Sequence, residues 1–193
     1  MEAKILLPLS AETYLAEEKK RQLKHEYVDG QIFAMAGTTL IHNRIAGNIF
    51  SELRLATKTN SCQSYISDVK LKVNEHTFYY PDVMLICPET PQSPSLVDKG
   101  QHYIEKPCII VEVMSKSTAR TDQNEKRDAY LKITSLQLYL LIDSCQVWAK
   151  AYLRQGDEWQ ERYFQQADAP IDLPCVDIIL SLADIYLQTG LII

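Results

Sequence analysis

Residues 108–115 read CIIVEVMS, and this stretch decides the fold prediction. A run of apolar residues that follows Pro107 predicts a strand buried on both faces. Glu112 stands in the middle of the run, where a buried strand would remove its carboxylate from water. Burying an unpaired charge costs several kcal/mol, a large part of the net stability of a small domain. We therefore expect a compensating partner for Glu112, either a paired base or a metal ion.

Asp82 shows the same pattern in residues 78–87, which read FYYPDVMLIC. It opens the apolar part of a predicted strand and follows Pro81, which cannot donate a ladder hydrogen bond and therefore marks an edge or a bend. If this strand lies beside the Glu112 strand, the two carboxylates converge on one spot. A few oxygen ligands with room for water suit Mg²⁺ or Mn²⁺. Asp82 and Glu112 are therefore the predicted metal ligands.

Lys126 is the candidate cation beside these carboxylates. After the Glu112 strand, a polar stretch enters a predicted helix that runs to about Ile133, with Asp122 and Glu125 as a variant of the capping box. One face of this helix carries residues spaced by three and four: Asp122, Lys126, Ala129, Tyr130 and Ile133. Because that face should meet the sheet, Lys126 should reach over the strand ends. A structural ion pair with Glu112 and a catalytic one remain open alternatives.

The remaining pattern predicts a mixture of helices and hairpins. Ser10 caps a helix to about residue 22, Asp29-Gly30 forms a hairpin turn, and Thr38 or Thr39 opens a second helix. Single strands are predicted over residues 64–73, 78–87 and 137–142, a hairpin over 147–164, and a short helix over 178–187. This order predicts an α/β (α+β) fold with a mixed sheet flanked by helices, plus an N-terminal and a C-terminal hairpin.

Composition narrows the class of protein. The chain has 193 residues, of which 46% are hydrophobic, and a net charge of −5. This length predicts one domain, 1–193, with a helix and hairpin at 10–36, a core at about 38–143, and a hairpin and helix at 146–189. No stretch is apolar enough to span a bilayer, so we expect a cytoplasmic protein. The five scattered cysteines predict buried free thiols rather than a disulfide framework.

Several of these motifs together resemble the Uma2 family, from about Ser10 to Leu187. The resemblance rests on Glu26, His42, the sequences YYPD, IIVEVMSKST and LYLLID, and a D…K…Y series with spacings of four. Uma2 proteins are restriction-endonuclease-like members of the PD-(D/E)XK nuclease superfamily. The resemblance implies a restriction-endonuclease-like fold and a Mg²⁺- or Mn²⁺-dependent endonuclease that hydrolyses phosphodiester bonds of DNA.

The resemblance also implies roles for particular residues. Pro81-Asp82 is the PD element and Glu112 is the acidic residue of (D/E)XK, but Met114 stands where the superfamily has its lysine. Lys126 would supply that lysine from the next helix, so that Asp82, Glu112 and Lys126 are the implied catalytic residues. The supporting positions are Glu26, as a metal ligand or its neighbour, His42, as a phosphate contact or water-orienting group, and Tyr130, beside Lys126.

Two other functions remain open. Met114 and the acidic net charge favour a non-catalytic nucleic-acid-binding or regulatory module on the same fold. A glycosidase with the same two carboxylates would need an aromatic sugar cleft, but Trp148 and Trp159 lie in the C-terminal hairpin. That hairpin, with Tyr163, predicts an exposed apolar sheet face, which suggests a homodimer.

Overall fold

A computed structural model of the chain describes residues 8–88 and 102–192. Its helices are α1 (Ala11–Glu18), α2 (Leu40–Ala56), α3 (Ala119–Thr121), α4 (Arg127–Tyr130) and α5 (Leu182–Ile185), and a π-helical turn over Asp122–Lys126 joins α3 to α4. Its strands are β1 (His25–Val28), β2 (Gln31–Ala34), β3 (Gln63–Ile66), β4 (Lys70–Asn74), β5 (Thr77–Tyr79), β6 (Val83–Ile86), β7 (Tyr103–Ile104), β8 (Ile109–Met114), β9 (Leu138–Asp143), β10 (Ala149–Gln155), β11 (Glu158–Phe164), β12 (Pro170–Leu173) and β13 (Ile178–Ser181).

The central sheet is mixed, as predicted. Its six strands run in the order β11-β10-β9-β8-β6-β3. β8 and β9 are parallel, and the other neighbours are antiparallel. The parallel pair is joined through α3, the π-helical turn and α4, a crossover that parallel strands require. The fold class predicted from the sequence is therefore confirmed.

Both faces of the central sheet are covered, which explains the nearly continuous apolar sequence of β8. Every residue from Ile109 to Met114 is buried. Ile109, Val111 and Val113 face the core that contains α2 and α5. Ile110 and Met114 face the opposite core, which contains Tyr130. Since side chains alternate along a strand, Glu112 shares the face of Ile110 and Met114 and points toward α4.

A second, five-stranded sheet has the order β2-β1-β5-β4-β7 and was not anticipated as a separate sheet. The sequence predicted one strand over residues 64–73 and one over 78–87, and both predictions were wrong. Each segment is broken and passes from one sheet to the other, at Ser67, whose φ is 51°, and at Pro81-Asp82. The two breaks lie side by side, because the Ser67 amide donates to the Asp82 carbonyl at 2.9 Å.

The predicted N-terminal elements are largely confirmed. The Ser10 hydroxyl caps α1, which ends at Glu18 rather than at about residue 22. Thr39, not Thr38, caps α2. The hairpins at Asp29-Gly30 and around Gly156 form as expected, with β1 paired to β2 and β10 paired to β11.

Two other local predictions were wrong. Asp122 does not begin a helix with a capping box, since it lies in a helix that already starts at Ala119. Residues 178–187 form the strand β13 followed by the one-turn helix α5, because β13 pairs with β12, a strand that the sequence did not reveal. Ala149, Ala151 and Tyr152 of β10 are buried and Leu153 is partly buried, and on β11 only Tyr163 is a large exposed hydrophobic residue, so the predicted exposed apolar face is much reduced.

The cysteine prediction was wrong in part. Cys62 and Cys87 form a disulfide, although their spacing gives no signal for one. The pairing follows from register: β3 and β6 are antiparallel with Gln63 opposite Ile86, so the preceding and following residues also face each other. Cys108 is a buried free thiol as expected, but Cys145 and Cys175 are exposed.

Candidate active site

Glu112 finds the compensating partners that its position in β8 requires. Its Oε1 accepts a hydrogen bond from the Tyr130 hydroxyl at 2.8 Å and one from Lys126 Nζ at 3.1 Å. The Glu112 side chain is 4% exposed and that of Lys126 is 9% exposed. A carboxylate can therefore stand in this buried strand because Glu112 belongs to a buried, hydrogen-bonded ion pair.

Lys126 is shared among three carboxylates. Its Nζ lies 2.9 Å from Glu26 Oε1, 3.1 Å from Glu112 Oε1 and 3.6 Å from Asp122 Oδ1. It also lies over the Tyr79 ring, 5.4 Å from the centroid. A purely structural pair needs one carboxylate for one ammonium, so this arrangement places more negative charge around Lys126 than it can neutralise.

The π-helical turn presents Asp122 and Lys126 to the sheet, and α4 presents Tyr130. All three are buried, as the spacing of four predicted. Tyr139 belongs to β9, and its hydroxyl donates a hydrogen bond to the Asp122 carbonyl at 2.9 Å, which connects the turn to the sheet. π-Helical turns occur frequently at functional sites, because the extra residue redirects the side chains of the helix.

Asp82 lies where the chain enters β6 after Pro81, and it reaches β8 through its side chain. Its Oδ2 accepts a hydrogen bond from the Val113 amide at 2.8 Å. The ladder between β6 and β8 runs only as far as Val83 and Val111. The Asp82 carboxylate therefore takes the place of a backbone partner at the end of the ladder, next to Glu112.

His42 approaches Asp82 from the first turn of α2. Its Nε2 lies 3.3 Å from Asp82 Oδ2, while its buried Nδ1 has no hydrogen-bond partner among the described residues. Burial lowers the pKa of His42, but the hydrogen bond and the negative charge of Asp82 outweigh that effect, so the pKa lies above its ordinary value. Asp82 therefore favours the protonated imidazolium.

Glu26 comes from the second sheet, on β1. Besides its contact with Lys126, its Oε1 accepts a hydrogen bond from the Tyr80 amide at 3.3 Å. Tyr80 directly precedes Pro81-Asp82, so Glu26 is anchored to the segment that carries Asp82. All six residues predicted for the site are thereby gathered in one region: Glu26, His42, Asp82, Glu112, Lys126 and Tyr130.

The electrostatics of the site reflect its excess of carboxylates. Burial raises the pKa of Glu112 well above its ordinary value; the ammonium of Lys126 opposes this, whereas the charges of Asp122, Asp82 and Glu26 add to it. Burial lowers the pKa of Lys126, but the charges of Glu112, Glu26 and Asp122 outweigh it and raise the pKa. The excess of carboxylates thus raises both pKa values, adding to the effect of burial for Glu112 and opposing it for Lys126.

Sequence reasoning missed the role of Asp122 in this cluster. It was assigned to a helix cap, although the same spacing argument that selected Lys126 and Tyr130 also included it. Asp122 is 2% exposed, and burial raises the pKa of its carboxyl. A buried acid one turn before a buried lysine on the same face was the available signal.

The donor set fits a small hard cation. The hydrogen bonds of Glu112 use Oε1 and those of Asp82 use Oδ2, so each carboxylate keeps its other oxygen. Among the described residues, no three His, Cys, Asp or Glu side chains form a ready metal cage. Mg²⁺ does not require one, because it is typically bound by one or two carboxylates and keeps several waters.

Comparison with known proteins agrees with this architecture. A crystal structure from Anabaena variabilis, described as a "putative nuclease belonging to DUF820", superposes with a TM-score of 0.76 over 93% of this chain and 98% of the other, at 17% identity. The class is therefore that of a restriction-endonuclease-like nuclease fold. The family model Uma2, described as "Putative restriction endonuclease", matches residues 11–183, and the chain belongs to this family.

Two relatives are uncharacterised proteins of Synechocystis sp. One is 35% identical over 153 residues, which cover 78% of this chain and 84% of the relative. The other is 32% identical over 180 residues, which cover 92% of this chain and 91% of the relative. Both alignments therefore cover more than three quarters of this chain.

Helices long and apolar enough to cross a bilayer do not occur in the described ranges 8–88 and 102–192.

Proposed function

We propose that this protein is a metal-dependent endonuclease that hydrolyses phosphodiester bonds of DNA. The observation that carries the proposal is the cluster of Glu26, Glu112 and Asp122 around Lys126, with Asp82 beside Glu112, on a nuclease fold. Four carboxyl groups share one ammonium and the imidazolium of His42, so the ionised cluster keeps an excess of negative charge. A divalent cation would compensate that charge.

Asp82 and Glu112 would hold Mg²⁺ or Mn²⁺ through Asp82 Oδ1 and Glu112 Oε2, the carboxylate oxygens that are not used in the hydrogen bonds described above. When bound, such an ion supplies a Lewis acid and a water of lowered pKa for attack on phosphorus. Lys126 would stabilise the charge that develops on the phosphoryl oxygens. Tyr130 and Glu26 orient Glu112 and Lys126 through the contacts described above, and His42 orients Asp82.

Exposed cations lie on the segments that lead into the site. Lys116 and Arg120 are exposed on the connection from β8 to the π-helical turn, and Arg44 is exposed two residues after His42. These exposed lysine and arginine side chains support contact with phosphate groups, even though the net charge of the chain is −5. We expect binding to weaken as salt is added.

The test is a calorimetric titration of Mn²⁺ into the purified protein, beside Asp82→Asn and Glu112→Gln. We expect saturable binding to the unaltered protein and its loss in both variants. Glu75→Gln is the matched control, because Glu75 is exposed and pairs only with Lys72 among the described residues, so it should bind like the unaltered protein. A chain without Mn²⁺ binding, or one whose binding survives both changes, would refute the metal site.

Cleavage is tested separately with supercoiled plasmid and Mn²⁺ or Mg²⁺ over a range of salt. We expect nicking or linearisation that is lost in Glu112→Gln and in Lys126→Met. Cleavage that persists in these variants would indicate a contaminating nuclease and contradict the assignment.

Met114 favours a second candidate function, a non-catalytic nucleic-acid-binding module. It lies on the face of Glu112 where an (D/E)XK nuclease carries lysine, and it is buried with its Sδ 3.4 Å from Gln123 Nε2. DNA binding without metal binding would favour this module, whereas metal binding by Asp82 and Glu112 would favour the nuclease. A homodimer, which would suit a nuclease that cuts both strands, is tested by light scattering of the purified protein.

A further inference from the structure

Four of the five cysteines meet at the end of the central sheet opposite the carboxylate cluster. Cys87 follows β6 and Cys108 precedes β8, so the antiparallel pairing that puts Asp82 near Glu112 at one end puts these two cysteines together at the other. The Cys108 amide donates to the Leu85 carbonyl at 2.8 Å, which holds this end of the pair in register.

The sulfur atoms are in contact. Cys87 is bonded to Cys62, and the free thiol of Cys108 lies 3.7 Å from Cys87 Sγ. Cys175, on the turn between β12 and β13, forms a side-chain hydrogen bond with Cys108. Its carbonyl oxygen also lies 3.9 Å from Cys87 Sγ. A buried thiol thus lies against a disulfide, with an exposed thiol on its other side.

We propose that these four cysteines form a thiol–disulfide exchange site, in which the disulfide moves between Cys62–Cys87 and Cys87–Cys108. Exchange requires a thiolate that contacts one sulfur of a disulfide, and Cys108 alone among the free cysteines of the described residues has that contact. The site lies apart from the carboxylate cluster, so the inference does not depend on the proposed nuclease activity.

The step is balanced within the protein. The Cys175 thiolate takes the proton of Cys108, the Cys108 sulfur forms a bond to Cys87, and the electron pair of the Cys62–Cys87 bond leaves on the Cys62 sulfur. One disulfide breaks and one forms, so no oxidant or reductant is consumed. The hydrogen bond between the two thiols raises the pKa of Cys108, to which burial adds, and lowers the pKa of Cys175, so Cys175 is the thiolate of the pair and the uphill transfer of the Cys108 proton to it limits the rate of exchange.

Native alkylation tests the exchange. The oxidised full chain, with the exposed Cys145 replaced by Ser, is treated with a low concentration of N-ethylmaleimide, unfolded at acidic pH, digested with pepsin and mapped by mass spectrometry. We expect maleimide on Cys62 together with a Cys87–Cys108 cross-link. Labels confined to Cys108 and Cys175, with the Cys62–Cys87 bond intact, would overturn the proposal.

Two variants separate chemistry from folding. Cys108→Ser should abolish labelling of Cys62 while leaving the thermal unfolding midpoint within a few degrees. Cys175→Ser should slow labelling of Cys62 at neutral pH, since it removes the proton acceptor that is hydrogen-bonded to Cys108. The difference in labelling rate between Cys175→Ser and its parent should narrow as the pH rises, because hydroxide then deprotonates Cys108. Equal rates for Cys175→Ser and the parent at every pH would refute the role of Cys175 as base.

Discussion

Replacing Lys126 with methionine tests the charge balance of the carboxylate cluster most directly. Methionine keeps most of the length of the side chain and removes only the charge and its hydrogen bonds. Three ion pairs disappear together: those to Glu26, Glu112 and Asp122. Glu112 and Asp122 remain buried, without the ammonium that opposes the rise of their pKa values.

The expected loss of stability is large. Removing one partner of a buried ion pair typically costs about 3–5 kcal/mol, because the remaining charge is buried without compensation. For a chain of this size, 1 kcal/mol corresponds to about 2–4 °C in the unfolding midpoint, so we expect a decrease of roughly 6–20 °C. The loss should shrink as the pH falls, because protonation of the carboxyls then replaces the missing positive charge.

Urea unfolding and thermal unfolding in metal-free buffer at neutral and at acidic pH measure this loss. Lys72→Met is the matched control: Lys72 Nζ contacts Glu75 and Glu105, whose side chains are 79% and 51% exposed. Exposed pairs of this kind contribute about 0–1 kcal/mol. The reasoning is refuted if Lys126→Met costs no more than Lys72→Met at neutral pH, or if its cost does not decrease on acidification.

Three other predictions follow from the same cluster and its supports. Tyr130→Phe removes the 2.8 Å hydrogen bond to Glu112 and should lower the free energy of unfolding by about 1.5–3 kcal/mol in urea titrations. The loss should shrink to about 0.5–1.5 kcal/mol in a Glu112→Gln background, where the Tyr130 hydroxyl donates to a neutral amide oxygen. Because the raised pKa of Glu112 favours its protonated form in the folded state, the stability of the metal-free protein should fall as the pH rises through that pKa. Mn²⁺ binding should tighten over the same pH range and release protons. Calorimetry in two buffers of different ionisation enthalpy measures that proton release. The Thr39 hydroxyl caps α2 by accepting a hydrogen bond from the His42 amide at 3.2 Å. Thr39→Ala should therefore lower the free energy of unfolding by about 1 kcal/mol in chemical denaturation, whereas Thr39→Ser should change it little.

Much of the site was predictable, because its strongest signals are local. A carboxylate within a continuous apolar run has few explanations, and Glu112 in β8 required a partner before any fold was known. The spacing of Asp122, Lys126 and Tyr130 identified one packing face, and the three side chains are indeed buried together. The roles of these residues in catalysis remain predictions.

The breaks in the strands were not predictable from alternation alone. The alternation of residues 64–73 would place Lys70 on the polar face of one strand. In the structure Lys70 is buried near the rings of Tyr14 and Tyr80. Its lowered pKa follows first from burial. The sequence shows an alternation of residue types but does not show at which residue the chain leaves one sheet for another.

The sequence by itself determined which residues must be buried and which of them need partners: the apolar run around Glu112, the bend at Pro81 before Asp82, and the helical face of Lys126. Only the tertiary structure decided which partners meet. Glu26 reaches Lys126 from a separate sheet, and Cys62 meets Cys87 through the register of β3 and β6. Local periodicity reflects the burial of each segment, whereas contacts between distant segments depend on how the whole chain packs.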